Sequence, residues 1–479
     1  MQSIEINNQV LGGLADSKYL GIANSVHKMV GFDLHSEPGV MKVNQALVKI
    51  SGELIDGLIK KAVPCSNGEI YLFSADSGKI WRIKEDHTTV ELCYTTVAGA
   101  GESKCLGAEE YNDYIIWATE LRLHRIPITN AESESTWTTV TLNWQTLTKG
   151  DKEYHPFDIQ NDVLYIGDGP QLAQVDGDTF SASAMNKWPE RHRVSALQKY
   201  LTGLLFGTIV PSGIVSSLAA FWNTWSTNVS FADDLPENGI NSFLKMDNYA
   251  IAQCGKKGNF YSYNGSAMSL YKRIPGNWGG PFGANQAIVH SDANLNAGGI
   301  PMFGLSNISG NPADQGIYSL GHYSPEYPIV FSMEFVISTG NVANIEIGSV
   351  FMVGTDMFVA WKDSNDETPI YGIDKLDKTA KFNGAYFDTR LIQSDRRNMK
   401  EFSVDVFYRS LPENTDILLN RKVNNGNWKE APIQLIHDVN RKRKHTKVKI
   451  RGNDCQFRII TSADGNNAPE IDFCEISFN

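Results

Sequence analysis

Three stretches of this sequence hold residues whose types and spacing bear on chemistry. Residues 97–105, Val-Ala-Gly-Ala-Gly-Glu-Ser-Lys-Cys, look at first like a phosphate-binding loop. That chemistry needs a Gly directly before the Lys, a Ser or Thr after it, and a helix N-terminus whose unpaired N–H groups cradle the anion. None is present, so a turn between strands is expected. Asp292-x-Asn294-x-Asn296 begins like a calcium loop, but Ala297 takes the sixth position and Phe303 the twelfth, where a Gly and a bidentate Glu belong. An Asx-rich turn is the better reading. The strongest charge cluster is Arg441, Lys442, Arg443 and Lys444, continued by Lys447, Lys449 and Arg451. Its plain reading is a solvated hairpin loop at 441–444 leading into a strand that points Lys447, Lys449 and Arg451 outward. Its sharper reading is a strip that docks an acidic neighbour or a nucleic-acid backbone. Aromatics do not interleave with it, which argues against readout of single-stranded bases.

Other catalytic patterns are missing. The ten histidines form no HExxH pair, and His124 reads as a packed or edge residue rather than a metal ligand. The six cysteines form no CxxC; buried thiols are expected, with a Cys455–Cys474 bridge as the alternative for that pair. No GxSxG elbow occurs. The expectation is a protein without catalytic residues, metal or cofactor.

The elements that must carry these residues are strands. Apolar residues alternate with period two, and helical spacing is almost absent. Residues 58–96 read as four short strands split by Asn-Gly, Asp-Ser-Gly and Glu-Asp turn signals, and the same grammar recurs at 105–144, 157–185, 194–234, 240–274, 287–335 and from 345 onward. Seven four-stranded units are the signature of a β-propeller, with six as the alternative count. Stacking such sheets radially covers both faces of each. Residues 39–50 supply a strand to complete the last blade. After residue 382 the repeat stops, and longer alternating strands suggest a small antiparallel β-sandwich. The expected organisation is an N-terminal extension at 1–38, a propeller at 39–382 and a sandwich at 383–479.

Composition agrees with an all-β protein. Of 479 residues 42% are hydrophobic and 20% charged, with 41 Gly and 18 Pro, which excludes both disorder and coiled coil. The net charge of −11 divides into +4 for residues 381–479 and −15 for the rest. That excludes a generally basic protein that coats duplex DNA. The uncharged run 201–222 is broken by Pro211-Ser212-Gly213 and reads as two buried strands and a turn, not a membrane span. No secretory signal is read at the start, so synthesis and retention in a cytoplasm are expected.

Two resemblances bear on function. Ser74-Ala75-Asp76-Ser77-Gly78-Lys79-Ile80-Trp81 resembles the Asp-box of sialidase-type propellers, with Ile80 in place of its Thr. The box implies a hairpin brace, and one copy leaves a glycan-binding or glycan-cleaving propeller as the alternative function. The segment 31–40, Gly-Phe-Asp-Leu-His-Ser-Glu-Pro-Gly-Val, the stretch YIGDGPQLAQVD at 165–176 and the closing strands at 447–478 resemble tailed-phage virion proteins. The similarity is to the tail-hub or nozzle propellers of short-tailed phages and related uncultured viruses, and it lies in layout over nearly the whole chain. It implies a non-enzymatic structural component that forms a homo-oligomeric ring in the virion. Such a ring meets portal or adaptor proteins and tail spikes or fibres, touches DNA at most non-specifically in a channel, and assembles in the host cytoplasm.

Overall fold

The computed structural model describes residues 2–7, 25–37, 40–50, 54–96, 104–131, 137, 140–147, 154–186, 188–211, 217–229, 231–246, 250–274, 286–308, 316–321, 330–339, 344–393, 400–431, 434–438 and 441–478. Among these the regular structure is strand throughout, apart from one 3-10 turn at Ile128–Asn130. Two compact units emerge, both discontinuous in sequence. One comprises Lys49–Gln315 and Thr339–Lys375; the other comprises Met1–Val48, Gly316–Ser338 and Leu376–Asn479.

The first unit is a propeller. Five four-stranded antiparallel sheets follow one another, starting with the strands Ile59–Pro64, Ala108–Tyr111, Phe157–Gln160, Arg193–Tyr200 and Ile240–Leu244. A hairpin of Asn294–Ala297 with Ile300–Ile308 comes next. The meander Ile345–Val353, Asp356–Asp363 and the first half of Ile370–Lys381 completes the unit. Each first strand lies beside the next, and Ile345–Val353 returns to Ile59–Pro64, so seven inner strands close a ring. Aromatic and aliphatic side chains fill the gaps between blades, as radial stacking requires. Tyr71, Phe73, Trp117 and Trp137 are buried together between the first two blades. Phe260 and Phe303 meet at 5.1 Å between the fifth and sixth. Trp81, Phe351 and Phe358 share the cluster that joins the seventh blade to the first.

The run 201–222 forms two paired strands, Gly203–Ile209 and Ser217–Trp222, with Leu204 opposite Trp222. Among the described residues no helix is long and apolar enough to cross a membrane. The expected closure by residues 39–50 divides: the Ile50 amide donates to the Ile373 carbonyl at 3.0 Å on the last blade, while Met41–Val43 joins the other unit.

That other unit is a two-sheet sandwich, and it is larger than residues 383–479. One sheet runs Phe32–Asp33, Met41–Val43, Glu470–Phe478, Lys400–Ser410, Arg441–Ile450, Gln434–Asp438, with Gln2–Asn7 also paired to Glu470–Phe478. The second contains Asp416–Val423, Asp454–Ser462, Tyr386–Asp388, Lys28–Val30 and Val330–Phe335, followed by Gly316–Gly321. Phe402 meets Phe457 at 5.6 Å and Phe32 meets Phe387 at 6.0 Å across the interior. The contiguous boundaries read from the sequence are therefore corrected. Residues 1–38 are not an appendage, because their strands pair into both sheets. The second half of the expected 287–335 unit, Gly316–Gly321 with Val330–Phe335, also groups here, through the parallel pairing of Val30 with Met333.

Candidate functional site: a cation-lined mouth of the ring

The starting ends of several inner strands, at Lys60, Arg193 and Asn241, gather on one cavity, a mouth of the ring. Several of them are bulged there. Register shifts fall between Ile59 and Lys61, Val194 and Ala196, and Ile240 and Ser242, making Lys60, Ser195 and Asn241 the extra residues. A bulge breaks the alternation of a strand and re-aims one side chain. All three of these residues line a cavity of about 340 Å³.

The same cavity is lined by Lys104, Arg193, Lys256, His290, Asn238, Ser291, Tyr154 and Asp76, with Leu106, Val194, Ile209 and Ile288 supplying aliphatic wall. Four permanent cations thus face one carboxylate, in a region whose sequence is strongly acidic. Lys60, Lys104 and Lys256 have no carboxylate oxygen within 4.0 Å among the described residues. Asp76 is already committed: its Oδ2 accepts the Leu58 amide at 3.2 Å and lies 3.8 Å from Lys362 Nζ. Asn238 Oδ1 is buried without a hydrogen-bond partner. Asn241 donates to Gln253 Oε1 at 2.7 Å and to the Gly255 carbonyl at 2.6 Å, which spends its two N–H bonds and leaves its oxygen as an acceptor.

One layer further into the ring is a closed ionic network. Lys61 Nζ stands 3.0 Å from Glu109 Oε2 and 3.0 Å from Asp292 Oδ1, and Tyr154 donates its hydroxyl to Asp292. Burial opposes the Lys61 charge, but the carboxylates of Asp292 and Glu109 outweigh it and raise its pKa. Burial also works against ionised Asp292, and Lys61, Lys245 and the Tyr154 hydroxyl reverse it, holding the carboxyl below its ordinary value. Burial, with Asp292 and Glu109 nearby, pushes Tyr154 well up. Its phenol stays protonated and is a donor, not a nucleophile. His290 Nε2 is 2.8 Å from Glu346 Oε1; burial, then the Lys60 charge, lowers its pKa, so the ring is neutral near pH 7.

The mouth escaped sequence reasoning because its residues come from separate blades and its bulges interrupt the pattern that locates inward positions. The segments singled out from sequence stand elsewhere or do other work. Arg441–Ile450 is one continuous strand rather than a loop leading into one, which corrects that expectation. Hydrogen bonding to Lys400–Ser410 on one side and Gln434–Asp438 on the other keeps it extended. Its alternation sends Lys444 inward, where it is 5% exposed, bonds the Ile417 carbonyl at 3.1 Å and pairs with Asp416. Burial lowers the Lys444 pKa. Arg443 pairs with Asp405 at 3.2 Å, Lys442 donates to the Arg409 carbonyl at 3.2 Å, and Lys447, Lys449 and Arg451 are exposed. Lys449 sits opposite Glu401 in register, and Lys447 opposite Ser403. The backbone of Arg441 begins the strand; its side chain is outside the described residues, as are residues 97–103 and 38–39.

Asp292 holds Lys61 and Tyr154, Asn294 bonds Ser242 Oγ at 2.8 Å, and Asn296 caps its hairpin by accepting the Gly299 amide at 2.7 Å, so the three side chains serve three different ends. In the 74–81 hairpin the Ser74 hydroxyl, not Asp76, accepts the turn amides of Asp76 and Ser77, and Trp81 packs in the core. His124 stacks on Trp117 at 5.3 Å and accepts the Asn143 amide at 3.1 Å. Cys455 and Cys474 are buried thiols that form no disulfide, on strands of different sheets.

No family model matches the chain, and no curated protein matches it. Solved structures resemble it at low identity. The extracellular domain of the hybrid two-component system BT4673 from B. thetaiotaomicron aligns with a TM-score of 0.45 and 12% identity, over 75% of this chain and 43% of that one. A streptogramin B lyase aligns at 0.43 and 10%, over 70% and 98%, and the N-terminal domain of Nup159 at 0.40 and 10%, over 76% and 100%. Their functions differ from one another, and likeness at this level carries none of them over.

Proposed function

We propose that this protein works by binding rather than turnover, taking an anionic group of a partner molecule into the mouth of its propeller. The observation that carries this reading is the convergence of Lys60, Lys104, Arg193 and Lys256 on one cavity against the single, committed carboxylate of Asp76. Cleavage of a glycosidic bond by a carboxylate pair needs a second acid or base within about 5–10 Å of the first. The described lining supplies no such pair, and Tyr154 is tuned away from nucleophilic use. The virion setting is a proposal that rests on the layout resemblance: a tail-hub or nozzle-like component, working by assembly with portal, adaptor, spike or fibre proteins.

Titration of the full chain with short polyphosphate and with polyglutamate tests the binding role. Both probes should bind, with affinity falling as salt rises, and Lys60→Ala with Lys256→Ala should remove binding. Undiminished binding by the double variant would contradict the reading. Mass measurement of the chain alone and mixed with virion proteins encoded beside it tests the setting; a strict monomer that joined none of them would refute it.

A further inference from the structure

The cavity offers more than positive charge. A bare oxyanion at neutral pH only accepts hydrogen bonds, which suits lysines and an arginine. It gives nothing to Asn238 Oδ1, a buried acceptor without a partner, or to Asn241 Oδ1, whose N–H groups are already spent. Leaving a buried acceptor unmade costs about 1–3 kcal/mol, so a ligand that fits this site brings donors as well as charge. Ser291 adds a hydroxyl, and Leu106, Val194, Ile209 and Ile288 add aliphatic surface. Among the described lining residues the aromatic rings are Tyr154, whose hydroxyl is held by Asp292, and His290, whose Nε2 lies 2.8 Å from Glu346 Oε1. A nucleotide, whose base is recognised through aromatic faces, would find only these two rings, both already tied to carboxylates.

Resting on the binding role above, we infer that the occupant of the mouth is an acidic carbohydrate, a sugar bearing a carboxylate beside free hydroxyls. The carboxylate meets Lys60, Lys104, Lys256 and Arg193. Hydroxyls donate to the oxygens of Asn238 and Asn241, and the C–H face of the sugar lies against the aliphatic wall. A cavity of about 340 Å³ has room for one or two sugar residues. The bulges at Lys60, Ser195 and Asn241 are the backbone device that turns these side chains toward one ligand.

Calorimetric titration of the full chain with digalacturonate and N-acetylneuraminate, against galactose, sulfate (which has no O–H donor at neutral pH) and AMP, tests this. Acidic sugars should bind, with galactose at least about tenfold weaker for want of the charge. Asn238→Leu should weaken the acidic sugars by about tenfold and leave sulfate unchanged, because it removes an acceptor that only a ligand with hydroxyl donors uses. Lys60→Ala should weaken acidic sugar and sulfate alike. Melting curves establish that each variant is folded, and Asn241→Leu repeats the acceptor test if Asn238→Leu is not. Sulfate or AMP binding as tightly as the acidic sugars, with no effect of Asn238→Leu or Asn241→Leu on the acidic sugars, would overturn the sugar assignment and leave the anion-binding role standing. Failure of every anion to bind would overturn both.

Discussion

The mouth of the ring and the strand Arg441–Ile450 of the sandwich are both rich in cations, and they treat them in opposite ways. On the strand, basic residues alternate between two faces and meet acids on their neighbours. Lys444 is buried against Asp416, Arg443 and His445 share Asp405, and Lys449 faces Glu401 in register. In the mouth the acids are withdrawn. Asp76 braces the start of a strand, Glu346 holds His290, and Glu109 and Asp292 are consumed one layer deeper by Lys61. A dense run of charge is thus compensated in part, at Arg443 and Lys444, while Lys60, Lys104 and Lys256, from separate parts of the ring, have no carboxylate oxygen within 4.0 Å among the described residues. Local density of charge is a poor guide to where an anion binds; what matters is how many opposite charges the fold brings within reach.

The largest effect expected from this contrast is on stability. Lys61→Met removes the cation that compensates two carboxylates, and breaking a buried ionic cluster on one side costs about 3–5 kcal/mol. Urea unfolding should show a loss in that range; a loss under about 1 kcal/mol would mean the network is not the clamp beneath the mouth.

The sandwich has its own buried pair, His35 with Glu334 at 2.8 Å, and it sharpens the comparison through pH. Burial lowers the His35 pKa, but the hydrogen bond and charge of Glu334 more than reverse this and leave it raised. A raised folded-state value means the pair stabilises fully below about pH 6.5, the ordinary histidine value, and that this contribution is lost as pH rises through the folded-state value. Stability measured from pH 5 to 9 should therefore decline on the alkaline side more in the native protein than in His35→Gln. Parallel profiles would show that the pair carries no linkage. The smallest effect is expected at the strand surface, where Lys447→Ala and Lys449→Ala should each change stability by no more than about 0.5 kcal/mol.

Much of the fold was legible in the sequence because a blade cannot hide its grammar: period-two alternation and Gly or Asx turns mark each strand wherever it goes. The ring of inner strands follows from that, as does the change of pattern after residue 382. The extent of the sandwich was not legible. Gln2–Asn7, Lys28–Val30 and Val330–Phe335 join it by pairing over hundreds of residues, and nothing local distinguishes them from blade strands. The outward set Lys447, Lys449 and Arg451 followed from alternation, whereas the inward turn of Lys444 depended on where the strand begins. Lys60 and Lys61 look like one doublet, yet the bulge splits them between an open cavity and a closed network.

The most direct test reverses charge at the two basic sites in parallel. Lys60→Glu with Lys256→Glu, and separately Lys447→Glu with Lys449→Glu, should be titrated with digalacturonate at low salt beside the native chain. The account predicts that binding disappears in the mouth variant and persists within about twofold in the strand variant. Binding that survives reversal of the mouth and vanishes on reversal of the strand would contradict it.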